Sequence, residues 1–236
     1  MTDFVLVHGA WHGSWCWARL RRLLAQQGHG VFTPTLTGLA ERSHLLSRQV
    51  ELETHIADVA NLLIWEDLRD IVLVGHSYGG VIVRHVADRM RDRIRSLVYL
   101  DAFVPENGKS VLEYLPDAGK DLRHLAALHG EGWKVPPIPA AAFGVNAADA
   151  SWVDRQSTMH PLSTIEVSAR IAGACDSVPN IGYILARGFQ DSPFGQFDAV
   201  AERRGWWREQ FACGHEVMLD MPNELAALLL QRTQGR

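Results

Sequence analysis

Short unbroken apolar runs recur along this chain, and each is followed by a segment of helical period. "FVLV" (4–7) and "DIVLVG" (70–75) show no alternation of polar and apolar residues. A strand made from either must therefore be buried on both faces. "GVFTPT" (30–35), "IRSLVYLD" (94–101), "IGYILA" (181–186) and "WWREQFA" (206–212) supply further strands. Helices are expected over "SWCWARLRRLLAQQ" (14–27), "LETHIADVANLLIWED" (52–67), "YGGVIVRHVADRM" (78–90), "SPFGQFDAVAERRG" (192–205) and "NELAALLLQRT" (223–233). Ser14 is the expected cap of the first helix and Gly28 its stop, and Ser192 with Pro193 opens the fourth. Strands alternating with helices predict an α/β fold, a mostly parallel sheet with helices on both faces.

The alternation stops between Pro105 and about Val178. The composition there turns to Pro, Gly and Ala with short helical pieces, as in "WKVPPIPAAAFGVNAADA" and "MHPLSTIEVSAR". This stretch is expected to be a helical cap, 105–178, inserted into a core formed by 1–104 and 179–236. Within it, "HPLSTIEVSAR" (160–170) is read as a helix turning Leu162, Ile165 and Val167 inward.

Composition narrows the function classes. A net charge of -4 offers no basic footprint, so nucleic acid is not an expected partner. No segment is apolar for long enough to span a bilayer, and "MTDFVLVHG" enters a strand with no basic leader. The three cysteines, Cys16, Cys175 and Cys213, match no metal spacing and suggest free, buried thiols in a reducing compartment. A cytoplasmic protein without cofactor or metal is expected, with a homodimer as the assembly left open. His8 and His12 share a loop, but no neighbouring Cys or carboxylate completes a zinc set.

Gly75-His76-Ser77-Tyr78-Gly79 fits G-x-S-x-G, with an apolar strand before it and a helix after it. A sharp strand-to-helix turn lifts the serine above the sheet, and the small residues avoid collisions there. The Tyr78 N–H, at a helix start, can donate to an oxyanion. A serine needs a base, and the base an orienting acid. Of the later histidines, His215 in "FACGHEVMLDMP" follows a late strand and precedes the last helix, so it is the expected base; His76 is read as structural. Asp191 in "RGFQDSP" is the preferred acid. Asp101, closing the strand "IRSLVYLD", is its rival, and Asp198 is read as a solvent-facing helix residue. The loop "HGAWHGSW" (8–15) should give the second oxyanion donor, the Ala10 N–H.

"FVLVHGAWHGSWCW", "VLVGHSYGG" and "GHEVMLDMP" together resemble the α/β-hydrolase family, in the branch of plant methyl-ester esterases, hydroxynitrile lyases and bacterial esterase relatives. "LTGLAERSHLL" (36–46) and "LVYLDAFVPENG" (98–108) look like the bacterial members. The resemblance covers the core and is weak over the cap. It implies Ser77, Asp191 and His215 as triad, with Ala10 and Tyr78 as oxyanion donors. Members of the lyase branch carry a threonine where this chain has Gly9, and a lysine where it has Glu216. An acid next to His215 cannot stabilise a departing cyanide, so hydrolysis is the expectation.

The expected reaction is hydrolysis of small to medium apolar or aromatic carboxylic esters through an acyl-enzyme; carbamates and amides are open to the same machinery. Trp11, Phe103 and Trp152 are the expected substrate contacts, with Trp15, Trp17, Trp133 and Phe143 as further aromatic residues in or near loops that could face the pocket; Trp17 is expected to pack in the core. Two other readings stay open: a lyase or cofactor-free oxygenase on the same fold, and a receptor-like small-molecule binder.

Overall fold

The computed structural model describes residues 1–233. Six strands form one parallel sheet: β1 (Asp3–Val7), β2 (Gly30–Phe32), β3 (Ile71–His76), β4 (Ile94–Leu100), β7 (Asn180–Ala186) and β8 (Trp207–Phe211). Their order is β2-β1-β3-β4-β7-β8. The remaining strands, β5 (Lys134–Val135) and β6 (His160–Pro161), make a small antiparallel ribbon.

The apolar runs divide their side chains by the two-residue period of a strand. Val5, Val7, Ile71, Leu73, Leu97, Tyr99, Ile181 and Tyr183 pack on one face. Phe4, Leu6, Val72, Val74, Val98, Leu100 and Ile184 pack on the other. The first face is covered by α2 (Leu52–Trp65), α3 (Gly79–Arg89) and α7 (Gly195–Arg203), and the second by α1 (Ala18–Gln26), α8 (Val217–Asp220) and α9 (Pro222–Thr233). Both faces are thus buried, as unbroken apolar strands require.

Helix starts depart in detail from the expectations. Residues Ser14–Trp17 form a 3₁₀ turn before α1, and Ser14 caps nothing; its N–H donates to Thr35 Oγ1 at 2.9 Å. α2 opens on a capping box in which Glu51 and Thr54 each accept the other's backbone N–H. α7 begins at Gly195, after a turn in which Ser192 Oγ accepts the Phe194 N–H at 3.2 Å. Asp198 does not face solvent: it is buried and takes Arg208 in a two-point contact of 2.9 and 2.7 Å.

The segment between β4 and β7 holds α4 (Ala118–His129), α5 (Ala147–Gln156) and α6 (Ser163–Glu166) besides the ribbon. The helix expected over 160–170 shrinks to α6, because His160 and Pro161 are taken by the ribbon. Leu162 and Ile165 are buried, but Val167 is exposed.

The strand order reverses between β1 and β3. The chain goes from β1 outward to β2, then crosses back to β3 on the other side. The loops leaving β1 and β3 therefore diverge at the C-terminal edge of the sheet, the place where a parallel sheet leaves an open crevice.

Candidate active site

Ser77 occupies the turn between β3 and α3 with φ of 53°, a left-handed conformation that a non-glycine residue rarely adopts. The turn is held by its neighbours. The Ser77 N–H donates to the Leu100 carbonyl at 3.3 Å, and the Ser77 carbonyl accepts from Gly80 and Phe103 at 3.0 and 3.1 Å. Gly79 is required by close approach, since a Cβ there would lie 2.5 Å from the Val7 carbonyl oxygen. The two strands leaving the crevice are thus brought nearly into backbone contact beneath Ser77.

The loop after β1 closes over the serine. A Cβ on Gly9 would stand 2.8 Å from the Ser77 Cβ, so this position admits no side chain without displacement. Ala10 follows it. Among the described residues, neither the Ala10 N–H nor the Tyr78 N–H has a protein acceptor. Trp11, at φ of 63°, is anchored from the ribbon between β4 and β7: its indole N–H donates to the Val135 carbonyl at 3.2 Å, and its backbone N–H makes a long 3.5 Å contact with His160 Nδ1. The Tyr78 phenol is buried and bonded to His55 at 3.0 Å, which leaves its backbone amide at the elbow.

His215 follows β8 and is buried. Its Nδ1–H donates to Asp101 Oδ2 at 2.6 Å. The other Asp101 oxygen accepts the Ala186 N–H at 3.1 Å, so this buried carboxylate is used on both sides. The carboxylate at the imidazole is therefore that of Asp101 and not that of Asp191. The reason is local. After β7 the chain still pairs through Arg187 and Gly188 to the Phe211 and Cys213 carbonyls, and Phe189 then packs against the His215 ring at 5.2 Å. Asp191 comes after that, exposed, at φ of 56°, on the rim of the pocket. Asp101 is the first residue after β4, the strand beside β3, and so already stands at the sheet edge where the histidine lies.

Three more contacts fix His215. Its N–H donates to the Phe143 carbonyl at 2.9 Å, its carbonyl accepts from His76 Nε2 at 3.1 Å, and Phe194 stacks on its ring at 5.0 Å with 6° between planes. The Ser77 hydroxyl makes no hydrogen bond to the imidazole in this resting arrangement. Both line one pocket, and such contacts commonly close only when substrate binds.

That pocket has a volume of about 340 Å³. Its walls include Trp11, Phe103, Phe143, Phe189, Phe194 and Ile165, with Asp121 and Asp191 as its carboxylates. Trp152 is not among them. It packs edge-on against Trp15 at 5.0 Å in the core on the opposite face of the sheet, because α5 turns that side inward. Trp133 has the cations of Arg48 and Lys134 over its ring, at 5.4 and 5.1 Å, and Trp17 is fully buried. Phe189 and Phe194 were not singled out in the sequence, although they flank Asp191. A larger cleft of about 500 Å³, walled by Arg84, Glu106, Lys109 and Arg204, is lined by no serine, threonine, cysteine or histidine, so size alone does not select the site.

Behind the site lies a buried polar group that sequence separation hid. His12 does meet a carboxylate: its Nε2 is 3.1 Å from Glu216 Oε1. Burial is the largest influence on His12 and works to lower its pKa, but Glu216 and the Ala10 carbonyl together outweigh it and hold the imidazole above its usual range. Burial likewise works to raise Glu216, and His12, then His76, pull it well below the usual carboxylate range. At His8 and His76 burial outweighs the pull of Glu216, and both are pushed down to about 3. Among the described residues, His76, His215 and Glu216 are the one group close enough to share a metal ion, with ligand atoms within 4.8 Å of one another. The three cysteines are unpaired; Cys16 and Cys175 are buried and Cys213 partly so.

Taken together, a strained serine, a carboxylate-held imidazole and two unengaged amides border one apolar pocket. Such a set can perform acyl transfer. Comparison with known proteins agrees. The profile of the alpha/beta hydrolase family matches residues 4–228. A carbendazim hydrolyzing esterase from Nocardioides sp. (strain SG-4G) is 47% identical over 97% of this chain and 98% of its own length. Methylesterase 4 of Arabidopsis thaliana is 24% identical over 97% of this chain and 95% of its own. Among solved structures, an extracellular alpha/beta-hydrolase from a Paenibacillus species superposes with a TM-score of 0.86 over the full length of both chains, at 23% identity.

Proposed function

The chain belongs to the alpha/beta hydrolase family and is an esterase, and from that premise we propose that Ser77 is its nucleophile, His215 its general base and Asp101 the acid that orients the base. The observation that carries this assignment is the 2.6 Å contact between His215 Nδ1 and a fully buried Asp101, at the rim where the strained Ser77 stands. Asp101 holds the tautomer that leaves Nε2 as proton acceptor, and it stabilises the imidazolium once formed.

In the first half-reaction the Ser77 Oγ–H bond breaks, its proton passes to His215 Nε2, and Oγ bonds to the ester carbonyl carbon. The carbonyl oxygen takes the negative charge and is received by the N–H groups of Ala10 and Tyr78. The C–O bond to the alcohol then breaks, and His215 returns the proton to the leaving oxygen. Water repeats the sequence on the acyl-enzyme and releases the acid.

The pocket supports the substrate class. Its walls are aromatic and aliphatic, with no cation side chain to draw in an acidic substrate. Small to medium apolar or aromatic esters fit it, and aryl carbamates use the same steps. Residues 105–178 act as the cap that selects among them, since Val111, Leu122, Ile138 and Phe143 come from that stretch. Two features favour hydrolysis over lyase chemistry: no side chain fits at Gly9 without displacement, and an ionised carboxylate, Glu216, directly follows His215. A cytoplasmic location is part of the proposal, supported by three unpaired cysteines.

The test is turnover of a panel of p-nitrophenyl esters, aryl acetates, methyl carbamates and carbendazim, with Ser77→Ala alongside. Burst release of p-nitrophenol by the wild type and none by Ser77→Ala supports the assignment. Undiminished turnover by Ser77→Ala contradicts it.

A further inference from the structure

Glu216 is 1% exposed, yet neither of its carboxylate oxygens makes an aligned hydrogen bond. His12 Nε2 lies 3.1 Å away, close enough for an ion pair but not pointed as a hydrogen bond. His76 Nδ1 is also buried without a partner. A carboxylate placed like this carries a heavy desolvation cost and survives only with compensation. A glutamine or a leucine would avoid the cost, so the charge needs a reason.

Its position supplies one. Glu216 is the residue after His215, and its carboxylate lies with the His76 and His215 ring nitrogens in a group no more than 4.8 Å across. Its partner His12 belongs to the loop after β1, with Nδ1–H donated to the Ala10 carbonyl at 2.7 Å. The pair therefore joins the loop bearing the Ala10 N–H to the loop bearing the imidazole. A cavity of about 10 Å³, close to one water, is walled by Ala10, His12, His76, Ser77, His215 and Glu216.

We propose that Glu216 is a positioning residue of the esterase site. With Asp101 it places a second buried negative charge beside the imidazolium that forms when His215 takes the Ser77 proton, and through His12 it fixes the oxyanion loop against the base. This rests on the assignment of His215 under the proposed function. The groups that face Glu216 are His8 and His12 from the loop after β1, Cys16 from the 3₁₀ turn, His76 at the end of β3, and His215 itself. His8 and His76 are held neutral by burial, so His12 is the cation that balances Glu216.

The sign of the effect follows. Glu216→Gln removes the carboxylate charge and with it the reason for His12 to be protonated; because the carboxylate is grouped with the His215 ring nitrogen and His12 is not, the net loss at the imidazolium is of negative potential, which makes protonation of His215 harder. The basic form then persists to lower pH while the protonated transition state loses support. Glu216→Gln should lower kcat about tenfold, leave KM within about twofold, and move the acid limb of the kcat profile down by a few tenths of a pH unit. Glu216→Asp, which keeps the charge, should recover part of both. A merely structural role would lower the melting temperature and move neither the limb nor the kcat-to-KM split.

A second measurement needs no turnover. In the Ser77→Ala background, NMR titration of the His215 ring should show its midpoint falling when Glu216 becomes Gln. If Glu216→Gln does not fold, Glu216→Met, uncharged and of similar volume, is titrated instead, with the same fall expected. An unmoved midpoint in the variant that folds overturns the proposal. Absence of ester turnover in the wild type would defeat the esterase assignment alone, since the titration reads the coupling directly.

Discussion

Asp101 and His215, 114 residues apart, meet in a 2.6 Å hydrogen bond that is buried from solvent. Asp101 directly follows β4, next to the strand that leads into Ser77, and its second oxygen is held by the Ala186 N–H. The imidazole thus meets a carboxylate fixed at the end of the central sheet.

Substitution separates the two aspartates. Asp101→Asn should lower kcat by about four orders of magnitude, the scale seen when a triad acid is made neutral in another serine hydrolase. Asp191→Asn, on an exposed pocket rim, should leave kcat within a few fold. Steady-state kinetics on one aryl ester decides between them.

The reach of the sequence ends where side chains must converge. The fold was legible because strands buried on both faces leave few architectures, and the six strands formed one parallel sheet. Ser77 and His215 stood out because local pattern marks them: a glycine-flanked turn, and a histidine between the last strand and the last helix. Asp191 and Asp101 both follow strands in the right order, and pattern does not say that β7 keeps pairing past its end while Asp101 is already in place. Trp152, Asp198 and Val167 were misjudged for a related reason, since each depends on how a helix is rotated or where it stops. Glu216 lies 204 positions from His12, and no local signal joins them.

Gly9 gives a steric test. A threonine there would place its Cβ 2.8 Å from that of Ser77. Gly9→Thr should cut ester turnover by a hundredfold or more, about the effect of losing one oxyanion donor, because Ala10 must move with its neighbour. Circular dichroism should show the fold retained.

The two tryptophans first read as substrate contacts should part company. Trp11→Ala removes a pocket wall and should raise KM for aryl esters several-fold. Trp152→Ala breaks the packing with Trp15 and should cost about 1–3 kcal/mol of stability with KM unchanged. Urea denaturation and initial rates measure the pair.

Stability should fall in mild acid. His8 and His76 are held neutral in the folded protein, with pKa pushed to about 3, whereas the unfolded chain protonates them near the ordinary value of 6.5. The unfolded state therefore binds more protons below pH 6.5. Each such histidine should remove about 1.4 kcal/mol per pH unit between about pH 6.5 and pH 3. His76→Asn should flatten the dependence of melting temperature on pH over that window.

The most direct test of the central claim is mass spectrometry of the enzyme after reaction with a fluorophosphonate. The account predicts one adduct, on the peptide containing Ser77, formed slowly or not at all in Asp101→Asn and His215→Ala. Labelling at another residue, or labelling of Ser77 at an undiminished rate in both variants, would contradict it.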